Sequence, residues 1–212
     1  MFELLIFDLD GTLVDSRRDI ATGVNLMLDD LGVPNREPEL IYTYIGGGVH
    51  NLVLKSLTQE HADKLEGGVE LFWARYKEHA LNTTLPYPGV ESMLDGFKGR
   101  MLAVATNKPY EHTMLILDGL GLKGRFASIQ GWRLGLTVKP DPQIVLLALN
   151  EAGAHKDKTV MIGDSTSDVL AARAAGIKSC AVGYGYGARE KVMESKPDYF
   201  AEKVEDIERL FL

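Results

Sequence analysis

Residues 7–16, FDLDGTLVDS, follow an apolar run and bring two carboxylates to its end. Residues 4–7 have the length and composition of a buried strand. Asp8 and Asp10 lie two residues apart, so their side chains point the same way if the backbone is extended. Several buried acids that converge on one spot must take up protons or hold a cation. This stretch therefore predicts a strand that ends at a charged chemical site.

The chain outside residues 16–83 alternates short apolar runs with helical patterns. The apolar runs cover residues 2–8, 101–107, 126–130, 159–164 and 178–183. The helical patterns lie near residues 89–98, 110–120, 142–152 and 167–175. Such alternation is typical of a parallel sheet with helices on both faces. We expect an α/β fold, a Rossmann-like parallel sheet sandwiched by helices, with GYGYG (183–187) as the loop after the fifth strand.

Residues 16–83 have helical patterns only. Residues 17–31 have apolar side chains at helical spacing, and this pattern ends at Gly32. A second set of apolar residues at helical spacing follows later in the segment. The members of this second stripe are Val69, Phe72, Trp73, Tyr76 and Ala80. They predict the core of a small helical bundle. We therefore expect a core domain of residues 1–15 and 84–212, with an inserted α-helical domain of residues 16–83.

The composition and the N-terminal stretch limit the kinds of binding partner and the cellular compartment that we expect. The net charge of −7 argues against a nucleic-acid partner, which needs a basic stripe. The single cysteine, Cys180, lies in an apolar run and is expected to be a small core residue. The N-terminal stretch has no basic leader, and its apolar run is too short for a membrane span. We expect a cytoplasmic protein without membrane contact.

Polar residues cluster at the ends of the predicted strands, where ligands gather in parallel sheets. These residues are Asp8, Asp10, Thr106, Asn107, Asp164 and Asp168, with Lys139 just before a helix. An all-oxygen site with carboxylates suits Mg²⁺. Lys139, the neutral side chains and the backbone from Leu9 to Gly11 supply what a phosphoryl group in transfer needs.

Two carboxylates can divide the chemistry of phosphoryl transfer. One attacks phosphorus and forms an aspartyl phosphate, and the other exchanges protons with the leaving oxygen and the attacking water. Each feature also has a plainer explanation: solvated turn acids, helix-capping acids at Asp164 and Asp168, or a surface lysine at Lys139. These plainer explanations would all have to hold at once, so the set favours catalysis.

Four segments in chain order resemble motifs of the haloacid dehalogenase superfamily of phosphotransferases. They are residues 7–16, Thr106-Asn107, Lys139-Pro140 and residues 163–168. The resemblance spans the whole chain. It implies the sheet order 3-2-1-4-5 and a helical insert that serves as a cap, excluding water and selecting substrates.

The resemblance also implies roles for single residues. Asp8 would be the nucleophile and Asp10 the general acid/base, and an acid at position 10 favours phosphatases and mutases over dehalogenases. The implied Mg²⁺ ligands are Asp8, the backbone carbonyl of Asp10 and Asp164, with Asp168 in support. The implied phosphate-binding residues are Thr106, Asn107 and Lys139.

Within the superfamily, residues 44–52 (YIGGGVHNL) resemble the cap signature of phosphoglycolate phosphatases. Asp15-Ser16 with Asp19-Ile20, and Thr106-Asn107-Lys108, are similar to that group as well. A glycine-rich turn before a helix favours an anion and would hold the carboxylate of 2-phosphoglycolate. A plain connection between helices is the open alternative. The candidate substrate contacts are Arg17, Gly47, Gly48 and Lys108.

The expected function is Mg²⁺-dependent hydrolysis of a small phosphate monoester, 2-phosphoglycolate, to glycolate and phosphate. Alternatives within the superfamily are a sugar-phosphate mutase similar to β-phosphoglucomutase, a pyrophosphatase and a nucleotidase. A non-catalytic protein that binds a phosphate ligand is the alternative from another class. The expected partner is a small phosphorylated metabolite, and monomer and homodimer both stay open.

Overall fold

The computed structural model describes residues 1–212, which form two compact units. The α/β unit comprises Met1–Asp15 and Pro86–Leu212, and the helical unit comprises Ser16–Leu85. None of the helices combines the length and the apolar character needed to cross a membrane.

The strands and helices have the following bounds. The strands are β1 Leu4–Phe7, β2 Val14–Asp15, β3 Leu85–Pro86, β4 Met101–Pro109, β5 Ser128–Trp132, β6 Thr159–Gly163, β7 Lys178–Val182 and β8 Tyr199–Ala201. The helices are α1 Arg17–Asp30, α2 Pro38–Tyr42, α3 Val49–Ser56, α4 Leu65–His79, α5 Val90–Gly96, α6 Tyr110–Gly119, α7 Gln143–Ala152, α8 Thr166–Ala175, α9 Arg189–Glu194 and α10 Val204–Phe211.

The main sheet has six strands in the order β5-β4-β1-β6-β7-β8, and its strand pairs are parallel. The predicted α/β fold is confirmed, and its five strands stand in the predicted order 3-2-1-4-5. The prediction was incomplete at the edge, where β8 adds a sixth strand beside β7. Three residues are too few for a periodic pattern, so only pairing with Cys180–Val182 defines β8.

The register of the central strand places the candidate site. Phe7, the last residue of β1, lies opposite Val104 of β4 and Ile162 of β6. Leu4 and Ile6 pack in one core cluster with residues of α7 and α8. Leu5 and Phe7 point to the opposite face and are also fully buried. The chain therefore leaves a strand covered on both faces when it reaches Asp8.

The helical unit is built on the packing of α1 against α4. Gly23 permits close approach, since a Cβ there would lie 3.1 Å from the Tyr76 Cβ. Phe72 and Tyr76, two members of the predicted stripe, stack with ring centroids 5.6 Å apart and are 2% and 0% exposed. Asp19 on α1 is buried and accepts hydrogen bonds from the N–H and hydroxyl groups of Thr83 and Thr84.

Candidate active site

Three of the predicted acids converge in the α/β unit. Asp8 follows β1, Asp164 follows β6, and Asp168 lies in the first turn of α8. Each contributes one carboxylate oxygen to a group whose atoms all lie within 4.8 Å of one another. The three residues are only 8%, 4% and 1% exposed. Their meeting follows from the parallel register of β1 and β6, which end at the same edge of the sheet.

Lys139 contacts two of these three acids and is 3% exposed. Its Nζ is 2.9 Å from Asp8 Oδ1 and 2.6 Å from Asp168 Oδ1, and it donates to the carbonyl of Ala105 at 2.8 Å. Burial by itself lowers the pKa of Lys139, but Asp168 and Asp8 more than offset this and raise it to about 12. Lys139 is therefore a permanent buried cation.

One lysine does not balance three buried acids. Burial raises the pKa of Asp8 to about 6, although Lys139 acts in the opposite direction. Burial, Asp168 and Asp8 together raise the pKa of Asp164 to about 8. A divalent cation would remove this shortage of positive charge, and an all-carboxylate oxygen set is the kind that Mg²⁺ binds. The side chains present therefore fit the predicted metal.

The loop 183–187 orients Asp164, a role that was not predicted from the sequence. The Asp164 Oδ2 accepts N–H bonds from Tyr186 at 2.6 Å and Gly187 at 3.1 Å. A Cβ on Gly185 would lie 2.2 Å from the Asp164 Cβ and 2.4 Å from the Gly11 carbonyl oxygen. Only glycine fits between these groups. The alternating pattern GYGYG was the signal that could have revealed this role.

Asp168 serves the helix and the site at once. Its Oδ2 accepts bonds from the backbone N–H and the hydroxyl of Ser165 at 3.0 and 2.6 Å, which caps α8, while its Oδ1 holds Lys139. A Cβ on Gly163 would come within 2.2 Å of the Asp168 carboxylate carbon. The plainer explanation of Asp168 as a capping acid is therefore correct, and the same residue also contacts the site lysine.

Asp10 has a different lysine partner. Its carboxylate oxygens lie 2.8 and 3.0 Å from Lys108 Nζ, and the two side chains are 16% and 3% exposed. The two acids of the opening motif are thus paired separately, Asp8 with Lys139 and Asp10 with Lys108. The Lys108 side chain, which was predicted to contact substrate, is engaged with Asp10.

The predicted phosphate-binding residues shape the backbone around the cluster. The Asn107 side chain accepts the Lys139 N–H at 2.7 Å and donates to the Lys139 carbonyl at 3.1 Å. Thr106 is 2% exposed, and its Oγ1 accepts the Lys108 N–H at 3.3 Å. The Leu9 carbonyl accepts N–H bonds from the chain that follows it, which closes a tight turn at the end of β1. Asn107 thus fixes the segment that carries Lys139.

The other predicted substrate contacts belong to the helical unit. Arg17 opens α1, and its guanidinium carbon lies 5.9 Å from the centre of the Tyr42 ring. Gly48 precedes α3 at a φ of +82°, a conformation that favours glycine. A Cβ on Gly47 would lie 2.5 Å from the Asn51 side-chain nitrogen. The glycine-rich turn is therefore a tight entry into α3, as either interpretation of it requires.

Comparison with known proteins gives consistent matches along the chain. A family model described as haloacid dehalogenase-like hydrolase matches residues 5–182. A phosphoglycolate phosphatase from Pasteurella multocida is 33% identical over 208 residues, covering 93% of each chain. One from Chromobacterium violaceum is 38% identical over 187 residues, covering 85% of this chain and 84% of the relative. A predicted phosphoglycolate phosphatase from Haemophilus somnus, known from its crystal structure, has 31% sequence identity to this chain. The two structures align with a TM-score of 0.89, covering 100% of this chain and 98% of that one.

Proposed function

Because the chain belongs to the haloacid dehalogenase-like hydrolase family, we propose that it is a Mg²⁺-dependent phosphatase whose substrate is 2-phosphoglycolate. The observation that carries this proposal is the buried cluster of Asp8, Asp164 and Asp168, in which Lys139 pairs with Asp8 and Asp168. Support for the substrate comes from relatives named phosphoglycolate phosphatase, which this chain matches over most of their length.

In the first step, the Asp8 carboxylate attacks the phosphorus of the substrate. The pKa of Asp8, about 6, leaves this carboxylate largely ionised at neutral pH. The bond between phosphorus and the glycolate oxygen breaks as the new bond forms, and Asp10 donates a proton to the leaving oxygen. Glycolate leaves, and the phosphoryl group remains on Asp8.

In the second step, water attacks the phosphorus of the aspartyl phosphate. Asp10, now ionised, takes a proton from that water. The bond to Asp8 breaks, inorganic phosphate leaves, and Asp8 is again a carboxylate. The net reaction consumes one 2-phosphoglycolate and one water, and it yields one glycolate and one phosphate.

The remaining residues hold charge in place during both steps. Mg²⁺ would be held by the Asp8 and Asp164 carboxylates and the Asp10 backbone carbonyl, with Asp168 in support, and it supplies positive charge for the phosphoryl oxygens. Lys139 supplies a second, permanent cation. Thr106, Asn107 and the backbone of Leu9 and Asp10 would donate hydrogen bonds to the phosphoryl group.

Substrate selection is assigned to the helical unit, which we propose acts as a cap. Arg17 and the glycine-rich turn with Gly47 and Gly48 would contact the substrate carboxylate. An arginine and exposed backbone N–H groups before a helix are both suited to an anion.

Kinetics on a panel of phosphate compounds tests the proposal. The panel is 2-phosphoglycolate, a hexose phosphate, pyrophosphate, a nucleoside monophosphate and p-nitrophenyl phosphate, each with Mg²⁺ and with a chelator. We expect the highest kcat/KM for 2-phosphoglycolate, equal yields of glycolate and phosphate, and no turnover with chelator. Isomerisation of the hexose phosphate without phosphate release would instead indicate a mutase. A protein that hydrolyses nothing but binds a phosphate ligand would contradict the proposal entirely.

A further inference from the structure

The two acids of the opening motif differ in which lysine each contacts. Lys139 bridges Asp8 and Asp168, whereas Lys108 Nζ lies within 3.0 Å of both carboxylate oxygens of Asp10. The Lys108 side chain is 3% exposed, and burial of an ammonium group is unfavourable unless a partner compensates it. A contact to both oxygens also restricts the rotation of the carboxylate more than a single contact does.

The backbone that carries Lys108 is held on several sides. Its N–H donates to Thr106 Oγ1 at 3.3 Å, and its carbonyl accepts the Thr113 hydroxyl at 3.4 Å. Gly131 of β5 lies against the same carbonyl, because a Cβ there would be 2.8 Å from the Lys108 oxygen. A fixed backbone and a buried side chain leave the ammonium group a small range of positions.

From this geometry we propose that Lys108 is the positioning residue of the general acid/base. Its ammonium group holds the Asp10 carboxylate in the orientation from which Asp10 exchanges a proton with the leaving oxygen. This inference rests on the proposed function, since it takes Asp10 to be the acid/base of phosphate-ester hydrolysis. It assigns Lys108 a role different from the substrate contact predicted from sequence.

The dependence of the rate on the leaving group separates the possible roles of Lys108. An alkyl phosphate needs a proton on its leaving oxygen, whereas p-nitrophenolate leaves without one. The value of kcat/KM covers the steps up to departure of the leaving group, so it reports on this proton transfer. Three substrates suffice: 2-phosphoglycolate, ethyl phosphate, which lacks the carboxylate, and p-nitrophenyl phosphate.

The test compares Lys108→Met, Asp10→Asn and the double variant with the wild-type protein. We expect Lys108→Met to lower kcat/KM about 10²-fold for both alkyl phosphates and less than about 5-fold for p-nitrophenyl phosphate, as loss of a general acid does. Asp10→Asn should show the same selectivity, and the double variant should be no slower than Asp10→Asn because the lysine acts through Asp10. Lys108→Arg, which keeps the charge, should recover part of the alkyl-phosphate rate.

Lys178→Met is the matched control, because Lys178 also pairs with an aspartate, Asp198 at 2.6 Å, but lies on the exposed surface of β7. We expect its kinetics to equal those of the wild type. A loss confined to 2-phosphoglycolate would make Lys108 a substrate contact, and an equal loss for all three substrates would make it purely structural. Either result overturns the inference while leaving the proposed function in place. If the wild-type protein is inactive on all three substrates, both the inference and the proposed function are overturned. If Lys108→Met does not fold, the test rests on Lys108→Arg, whose loss of kcat/KM should again be larger for the alkyl phosphates than for p-nitrophenyl phosphate.

Discussion

The two units each bury an aspartate in a different way. In the helical unit, Asp19 is 2% exposed and receives hydrogen bonds from the N–H and hydroxyl groups of Thr83 and Thr84. In the α/β unit, Asp8, Asp164 and Asp168 face one another, and one lysine pairs with Asp8 and Asp168 only. In the helical unit, neutral hydrogen-bond donors stabilise a single buried carboxylate. In the α/β unit, the crowded carboxylates outnumber the nearby lysine, so they need a further cation. The contrast teaches that burial alone does not mark an active site, and that unbalanced charge does.

The largest expected effect is on turnover. Asp8→Asn replaces the attacking carboxylate with a poor nucleophile while keeping its shape, so kcat should fall about 10⁴-fold or more. Steady-state kinetics with 2-phosphoglycolate and p-nitrophenyl phosphate check this, because both substrates need the nucleophile. Activity above about one hundredth of wild type for either substrate would remove Asp8 from that role.

The same change from Asp to Asn at Asp19 should lower the stability of the folded protein. Asp19→Asn turns an acceptor oxygen into a donor that faces the donors of Thr83 and Thr84, so the free energy of unfolding should fall by about 2–4 kcal/mol. Urea unfolding monitored by circular dichroism measures the change. Asp29→Asn is the control on the same helix, since Asp29 is exposed, and it should change stability by less than about 0.5 kcal/mol. Equal effects of the two variants would contradict the structural role of Asp19.

The same change from Asp to Asn at Asp164 should raise the free energy of unfolding instead of lowering it. The folded state raises the pKa of Asp164 from 3.8 to about 8, so the folded protein resists its ionisation and loses stability as the pH rises between these values. Asp164→Asn removes this loss and should raise the free energy of unfolding of the metal-free protein by about 1–3 kcal/mol at pH 8. The difference from wild type should shrink towards zero as the pH falls below 3.8, where this carboxyl group is protonated in both the folded and the unfolded state.

Urea unfolding of both proteins in chelator across this pH range tests the sign. Mg²⁺ should stabilise the wild-type protein more than Asp164→Asn, because a cation binds the ionised acid. A variant that is less stable than wild type at every pH would show that Asp164 is held as Asp19 is, by its hydrogen bonds alone.

The smallest expected effect concerns the loop that orients Asp164. Gly185→Ala would place a Cβ 2.2 Å from the Asp164 Cβ, so the loop and the acid must separate. The Mg²⁺ concentration needed for half-maximal activity should rise about 10-fold, the usual result of disturbing a group that orients a metal ligand. Gly124→Ala is the matched control, because nothing lies within 4 Å of a Cβ there. An unchanged Mg²⁺ requirement in Gly185→Ala would mean that the loop does not orient Asp164.

Much of the fold and most residues of the candidate site could be predicted from local sequence patterns. The five predicted strands and the family resemblance were confirmed, because apolar runs bounded by polar residues are read locally. The strand β8 was not predicted, and the loop 183–187 was predicted as a loop but not as a partner of Asp164. A three-residue strand exists only through its neighbour, and the glycines of the loop are explained only by the side chains packed against them.

The sequence by itself determined which residues carry charge at the strand ends and in which order the motifs occur. The tertiary structure alone decided how the charges are paired. Lys108 lies 98 positions from Asp10, Lys139 lies 29 positions from Asp168, and Thr83 lies 64 positions from Asp19. No local pattern links residues so far apart, since strand register and side-chain reach select each partner. The sequence therefore contained the acids, and the fold determined which of them pairs with a single lysine, which of them crowd together and which accepts hydrogen bonds from threonines.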